Sequence, residues 1–373
     1  MAAPRDRALD AVRGWCVVSM ASAHLALGST WWSVLHWAGW IDGAVGFVLV
    51  SGLVVGITQR RAVRAGGLPA AYRRSGGRIL LLWVIHIELC LFALILSAVD
   101  PSQSGRLPSA AVEGGWAAAI GKTVTLRINP PASSILALYV VMGAIGMIAV
   151  AFLRAGRPLG AVAVSLGIYA CAWRFPAQTT FPERAFVPGY VNWAAWQALF
   201  VAALVVGWHW DGARLRRIRR SRRWWAGAAV ASVALAAGGH AVVHHRAAAG
   251  SALQPVLDGL FGNGRLGVGA IGFAFAAVLT LYRGAEAALR LTWGARLLAP
   301  LTQLGRRSLD CYVLIAVVAL AAPAIAGYRP DRGAGQLVAA AALVGCLAWT
   351  AARDAARDRA VGRPVTAAAP ASR

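Results

Sequence analysis

Charge is scarce and one-sided in this chain. Only 14% of its 373 residues are charged, against about 25% in soluble domains, and 14 acidic residues face 37 basic ones. Lysine is nearly missing, with Lys122 the single example, and the abundance of arginine, alanine and glycine reflects GC-rich coding, not chemistry. The five cysteines, Cys16, Cys90, Cys171, Cys311 and Cys346, stand singly in apolar segments. Neither disulfides nor a zinc site are expected from such spacing, and no metal is assigned. The chain also lacks HExxH, GxSxG, a Walker loop and any dense carboxylate cluster. Metalloprotease, serine hydrolase and ATP-driven pump therefore have no support.

What is present is apolar length. Hydrophobic residues make up 59% of the chain and the mean hydropathy is +0.61. This composition predicts an all-α integral membrane protein, with the lipid bilayer as its first partner. In a soluble protein the net charge of +23 would raise nucleic-acid binding. Here the arginines form short clusters between apolar runs, so they read as topology signals and no nucleic-acid partner is expected.

Runs of about 20 residues, enough to span a bilayer, fall near 8–27, 36–57, 78–98, 132–153, 158–175, 190–209, 224–244, 264–282, 308–327 and 335–352. They predict a polytopic bundle of about ten transmembrane helices in one domain, 1–354, followed by a disordered cytoplasmic tail, 355–373. The first run is preceded by Arg5 and Arg7 and could imitate a signal peptide. Ionisable groups inside it and the lack of a small-x-small cleavage site argue for a retained helix.

Arginine-rich stretches follow the runs ending at Ile57 and His209. The positive-inside rule makes both cytoplasmic and, counting outward, places both termini inside as well. The expected location is the bacterial cytoplasmic (inner) membrane. Proline-containing segments 99–131, 175–189 and 245–263 are the loops opposite, with an interfacial helix expected over 110–126.

Chemistry is most legible in the first run. Asp10, Arg13 and His24 interrupt it, and ionisable groups in such a segment tend to be functional. Eleven residues rotate a helix about 20° past three turns and advance it about 16 Å. Arg13 and His24 thus share a face, the arginine near the cytoplasmic edge and the histidine in the outer half, with Asp10 placed to pair with Arg13. Neutral imidazole can take a proton from a hydroxyl, while packing through a buried hydrogen bond is the plainer reading of His24. Arginine stays charged anywhere, so Arg13 is either a clamp for phosphate or carboxylate or a topology marker held by Asp10.

Further residues extend the pattern. Asp42, at the outer end of the second run, can orient His24 as a base-orienter pair does, or can simply face water. Ser51 belongs to a small-residue stretch, Asp42 to Gly52, that permits close helix packing. His86 and Glu88 lie mid-run and should face the interior. Asn192, Trp196 and Gln197 can bind a sugar or an amide, or form an aromatic belt. The His244–His245–Arg246 stretch reads as outer surface. Arg306 and Arg307 open a helix and suit phosphate, unless they only set topology.

Taken together these residues resemble a family. Leu9-Asp10-x-x-Arg13-Gly14 with His24 is similar to the helix-one signature of membrane acyltransferases of the acyltransferase type 3 and OpgC families. Four more blocks, Asp42 to Gly52, Arg78 to His86, Asn192 to Phe200 and Leu304 to Leu309, resemble OpgC in the same order. Val45 stands where the family pattern has glutamate, Leu53 where tyrosine follows Ser-Gly, and Trp193 where proline is usual.

The resemblance implies an O-acyltransferase, a succinyltransferase in the named family. It would move an acyl group from a cytoplasmic acyl-CoA donor, succinyl-CoA or acetyl-CoA, to a hydroxyl of an extracytoplasmic glucan or other glycan of the cell envelope. No tightly bound cofactor is expected. His24 would be the base, in direct attack or in forming an acyl-enzyme, with Asp42 orienting it, Asp10 pairing with Arg13, and Arg13 with Arg306 and Arg307 the donor clamp. His86, Asn192, Trp196, Gln197 and Ser51 would line the substrate path, in one cavity running from Arg13 to His24. A transporter or flippase using the same charges as a proton relay is the reading from another class.

Overall fold

The computed structural model describes residues 5–182, 191–244, 254–262 and 264–361. The described residues are helical throughout, with one isolated bridge, Thr180 to Asn192, and no strand. In chain order the helices are α1 (Arg7–Leu25), α2 (Thr30–Leu35), α3 (Gly43–Val99), α4 (Ala110–Glu113), α5 (Trp116–Val124), α6 (Ser134–Arg154), α7 (Pro158–Arg174), α8 (Pro176–Thr179) and α9 (Trp193–Trp208). After them come α10 (Ala213–Arg220), α11 (Arg222–His244), α12 (Gln254–Phe261), α13 (Val268–Ala288), α14 (Thr292–Leu297), α15 (Ala299–Arg306), α16 (Ser308–Ala321) and α17 (Gly333–Val361).

Five described helices are long and apolar enough to cross a membrane, or six if the bent pair α15–α16 counts as one. Length and composition alone thus support five or six, short of the expected ten crossings. Polar residues, short length and one merger account for the difference. Helix α1 carries Arg7, Asp10 and Arg13, and α9 has 16 residues. The expected interfacial helix is two short ones, α4 and α5, joined by the Lys122–Glu113 ion pair at 2.9 Å. Helix α17 continues to Val361, beyond the expected start of the tail at 355; residues 362–373 lie outside the described set, as do His245, Arg246 and Asn263.

Helix α3 is a hairpin of two arms. A straight helix of its 57 residues would measure about 85 Å, far more than the ~30 Å hydrocarbon layer. The helix breaks at Gly66 and Gly67, the latter at φ +69°, and Pro69 restarts it. Gln59 Nε2 then donates to Ser75 Oγ at 2.7 Å. Sixteen residues of unbroken helix would hold those groups about 24 Å apart.

The start of α1 is capped by Asp6, which accepts from the amides of Ala8 and Leu9, and Asp42 caps α3 through the Val45 amide at 2.9 Å. Helix α1 lies centrally, against α3, α13, α15, α16 and α17. Its contact with α15 is backbone to backbone. A Cβ on Gly14 would overlap the Leu301 carbonyl, and one on Gly305 would overlap the Asp10 carbonyl. The first arm of α3 meets α9 in the same reciprocal way, Gly56 against Leu204 and Gly207 against Leu53. Absent side chains let these axes approach, as small residues do in membrane bundles.

A methyl at the α1–α15 joint has nowhere to go, because both obstacles are backbone. Gly305→Ala should destabilise the protein by about 2 kcal/mol or more, read as a lowered Tm in detergent. Gly284→Ala, on α13 where an added Cβ meets nothing within 4 Å, should leave Tm unchanged or slightly raised. Equal Tm for both variants would refute the joint.

Candidate active site

A cavity of about 630 Å³ opens beside α1. The first arm of α3 lines it with Phe47, Ser51, Val54, Val55, Thr58 and Gln59, and the second arm with Arg74, Ser75, Arg78 and Leu82. Helix α6 adds Tyr139, and the elbow between α15 and α16 adds Arg306, Arg307, Ser308 and Asp310. Five arginines and one aspartate face this space, so it holds a strong net positive potential.

The arginines are not equivalent. Helices α15 and α16 meet at 86°, and Arg307 occupies the bend. Its guanidinium donates to Asp354 of α17 at 2.6 and 3.0 Å, with Asp310 at 3.8 Å. Arg306 is also ion-paired to Asp354. The two arginines expected to be a free phosphate clamp are instead partly neutralised by a carboxylate that the sequence reading did not single out. Arg74 and Arg78 make no ion pair among the described residues.

Arg13 is half-buried, and its expected partner is engaged elsewhere. Asp10 accepts from Arg5 at 2.5 and 2.9 Å, and Arg5 also reaches the Arg306 carbonyl at 2.8 Å. The Asp10–Arg13 ion pair anticipated from their spacing is therefore not made. Arg5, outside the helix, approaches the carboxylate with two nitrogens, which a guanidinium does well. Arg13 Nε is buried without a hydrogen bond, and the guanidinium carbon lies 5.6 Å from the centre of the Phe47 ring. Asp10 still acts on this guanidinium through space, but a buried donor without a hydrogen bond is costly, and an incoming anion would satisfy it.

His24 sits in the last turn of α1, half-buried, and does not line the cavity. Phe47 and Tyr139, whose rings meet edge-on at 5.9 Å, line the cavity beside Arg13. Of the two ends of the expected single cavity, Arg13 lines this space and His24 does not. Around His24 the charge of Asp42 and the ring of His36 are both close enough to act on it electrostatically. His36 Nδ1 lies 3.1 Å from the Trp32 carbonyl and its Nε2 3.3 Å from Ser19 Oγ. A carbonyl only accepts, which puts the proton on Nδ1 and makes Ser19 the donor to Nε2. Ser19 Oγ in turn accepts from the Gly43 amide at 3.1 Å. This network ties the turn after α1 to the cap of α3, beside Asp42.

The other expected site residues divide. Ser51 lines the cavity and accepts a hydrogen bond from Tyr139 at 3.1 Å. His86 is fully buried away from it, 3.4 Å from Cys90 Sγ and beside the backbone of Ile128 and Ser133. Asn192 caps α9 through the Ala195 amide and donates to Thr179 at 2.9 Å. Gln197 donates to the carbonyls of Ser165 and Ala194 and accepts from the Ser165 hydroxyl at 2.9 Å, clasping α9 to α7. Trp196 is fully buried within the bundle. None of these four lines the cavity.

Tyr139 and His36 were absent from the sequence expectation, Phe47 entered it only within the Asp42 to Gly52 block, and Arg74 and Arg78 only as positive-inside charge or part of a block. Tyr139 lies in a continuous apolar run, where a single phenol gives no periodic signal.

The family model described as OpgC protein matches residues 5–359. No curated protein and no solved structure matches.

Asn192 and Gln197 hold helix ends together, so their loss should register in stability. Asn192→Ala removes a cap and two side-chain bonds, and Gln197→Ala a buried clasp; each should cost about 1–2 kcal/mol with affinity for an anionic ligand of the cavity unchanged. The checks are thermal unfolding and titration with coenzyme A. A large affinity loss at unchanged Tm would return both residues to the binding site.

Proposed function

Since this chain belongs to the OpgC family, whose members are membrane acyltransferases, we propose that it transfers an acyl group, succinyl or a close relative, from an acyl-CoA-type donor to a hydroxyl of an extracytoplasmic glycan. One observation carries the reading. An arginine without a carboxylate partner stands at the head of an arginine-lined cavity, and the same helix ends, about 16 Å further on, in a histidine influenced by an aspartate.

In this reading the donor enters from the cytoplasm. Arg74 and Arg78 receive its phosphates and Arg13 gains its counter-ion from the same group. Arg306 and Arg307 contribute by exchanging Asp354 for phosphate, which charge-assisted bidentate contacts allow. The thioester end passes Phe47 and Tyr139 towards His24. There neutral imidazole takes the proton of the acceptor hydroxyl as its oxygen bonds to the thioester carbon. The tetrahedral species collapses, the carbon–sulfur bond breaks, and the thiolate leaves and receives the proton from imidazolium. Asp42 stabilises the positively charged ring during that interval.

Ten crossings with both termini in the cytoplasm belong to the same proposal, as does location in the bacterial cytoplasmic membrane. Each of the ten apolar runs coincides with a helix or, for two of them, with one arm of α3. Arg13 and His24 then lie towards opposite faces of the bilayer, as transfer across it requires.

The test is transfer of labelled succinyl or acetyl from its CoA ester to cell-envelope glycan by the purified protein in vesicles. His24→Ala should lower kcat by roughly 100-fold or more, the scale of a general base, and Arg13→Ala should act mainly on donor KM. Full transfer by both variants, with Tm preserved, would remove the site assignment. Uptake of substrate into vesicles without transfer would indicate transport instead.

A further inference from the structure

Resting on the acyltransferase reading, the part of the cavity beside Arg13 has a more specific reading. There the Tyr139 hydroxyl donates to Ser51 Oγ at 3.1 Å. Ser51 is only 9% exposed, and the Tyr139 ring is braced edge-on by Phe47, which also faces the Arg13 guanidinium.

The direction of that bond decides what the site offers. With the phenol as donor, Ser51 oxygen is the acceptor and the serine proton is left to point elsewhere. Thr58, on the same wall, shows the alternative. Its hydroxyl donates to the Val54 and Val55 carbonyls of its own helix at 2.8 and 3.1 Å. Ser51 makes no such bond among the described residues. This part of the cavity therefore presents the Ser51 proton and the Arg13 guanidinium, both donors, and among the described residues no carboxylate hydrogen-bonds either of them. A ligand group that fits here is an oxygen that only accepts.

We propose that Tyr139 is a positioning residue that holds Ser51 with its proton directed at an amide carbonyl in the donor's arm, between the phosphates and the thioester. In the proposed path from Arg74 and Arg78 to His24 the arm passes Phe47, Ser51 and Tyr139, which line the cavity with Arg13 where His24 does not. Ser51 reads the arm as it passes, and Tyr139 acts only through Ser51. Nothing is consumed in this contact; it selects donors whose arm carries an amide at that depth.

The experiment is titration of the full-length protein in detergent with coenzyme A, alongside transfer kinetics with acyl-CoA. Ser51→Ala should weaken coenzyme A binding and raise donor KM by roughly 5- to 10-fold, the scale of one neutral hydrogen bond, with kcat held. Tyr139→Phe, which keeps the ring against Phe47, should do the same to a similar or smaller extent. The double variant should be no worse than Ser51→Ala alone, since the tyrosine has no route except the serine. A simple acyl ethanethiol ester, which has no amide, should be indifferent to both changes.

Wild-type affinity in both single variants, with Tm preserved, would overturn the proposal. So would additive losses in the double variant, or equal losses with the amide-free ester. The wider reading fails separately: coenzyme A binding that depends on Ser51 and Tyr139, with no acyl transfer from any thioester, would reject the acyltransferase and leave this contact standing.

Discussion

The structure depends on the place where α1 and α15 touch through their backbones. Gly14 meets the Leu301 carbonyl and Gly305 meets the Asp10 carbonyl, so neither helix can retreat or advance without the other. Each glycine has an arginine beside it in sequence, Arg13 before the first and Arg306 after the second. Both arginines line the cavity, so the joint that fixes the two helices also fixes two cations on one lining. The 86° elbow after α15 adds Arg307 to the same cluster. Packing and electrostatics are one constraint here: positive charge is concentrated because the bundle can close only in this way.

Concentrated charge needs compensation, and the protein supplies it unevenly. Asp10 is committed to Arg5, and Asp354 to Arg306 and Arg307. Among the described residues no carboxylate forms an ion pair with Arg13, Arg74 or Arg78. The potential of the cavity is then set by which arginines lack a fixed partner more than by how many are present. Such an arrangement favours a polyanion that arrives and leaves over a permanent occupant, as a substrate does.

Much of this was readable in advance. Apolar runs located the helices because lipid imposes a length and forbids unsatisfied backbone. The shared face of Arg13 and His24 followed from helical rotation alone, and Asp42 from its position at a helix start. What could not be read were distances between segments remote in sequence. Asp10 was three residues from Arg13, yet Arg5 took it, since a residue outside the helix could present two nitrogens where an in-helix neighbour did not. Asn192 and Gln197 looked like ligand residues and are clasps, because an amide flanked by tryptophans has the same appearance in either role. Tyr139 could not be distinguished from packing aromatics until α6 was placed opposite Ser51. The number of crossings does not follow from the apolarity of individual helices, as α1 carries Arg7, Asp10 and Arg13 within its length.

The few residues ahead of α1 also take on weight. Arg5 joins the Asp10 carboxylate to the Arg306 carbonyl, while Asp6 both caps α1 and accepts from the Tyr282 hydroxyl of α13 at 3.0 Å. The segment is a strap across three helices. Anything fused directly in front of it pulls on the joint that sets the arginine cluster, whereas the far end of α17 carries no comparable bonds beyond Asp354 among its described side chains except a local one from Arg359. For this protein the choice of which terminus to tag is a choice about the cavity itself.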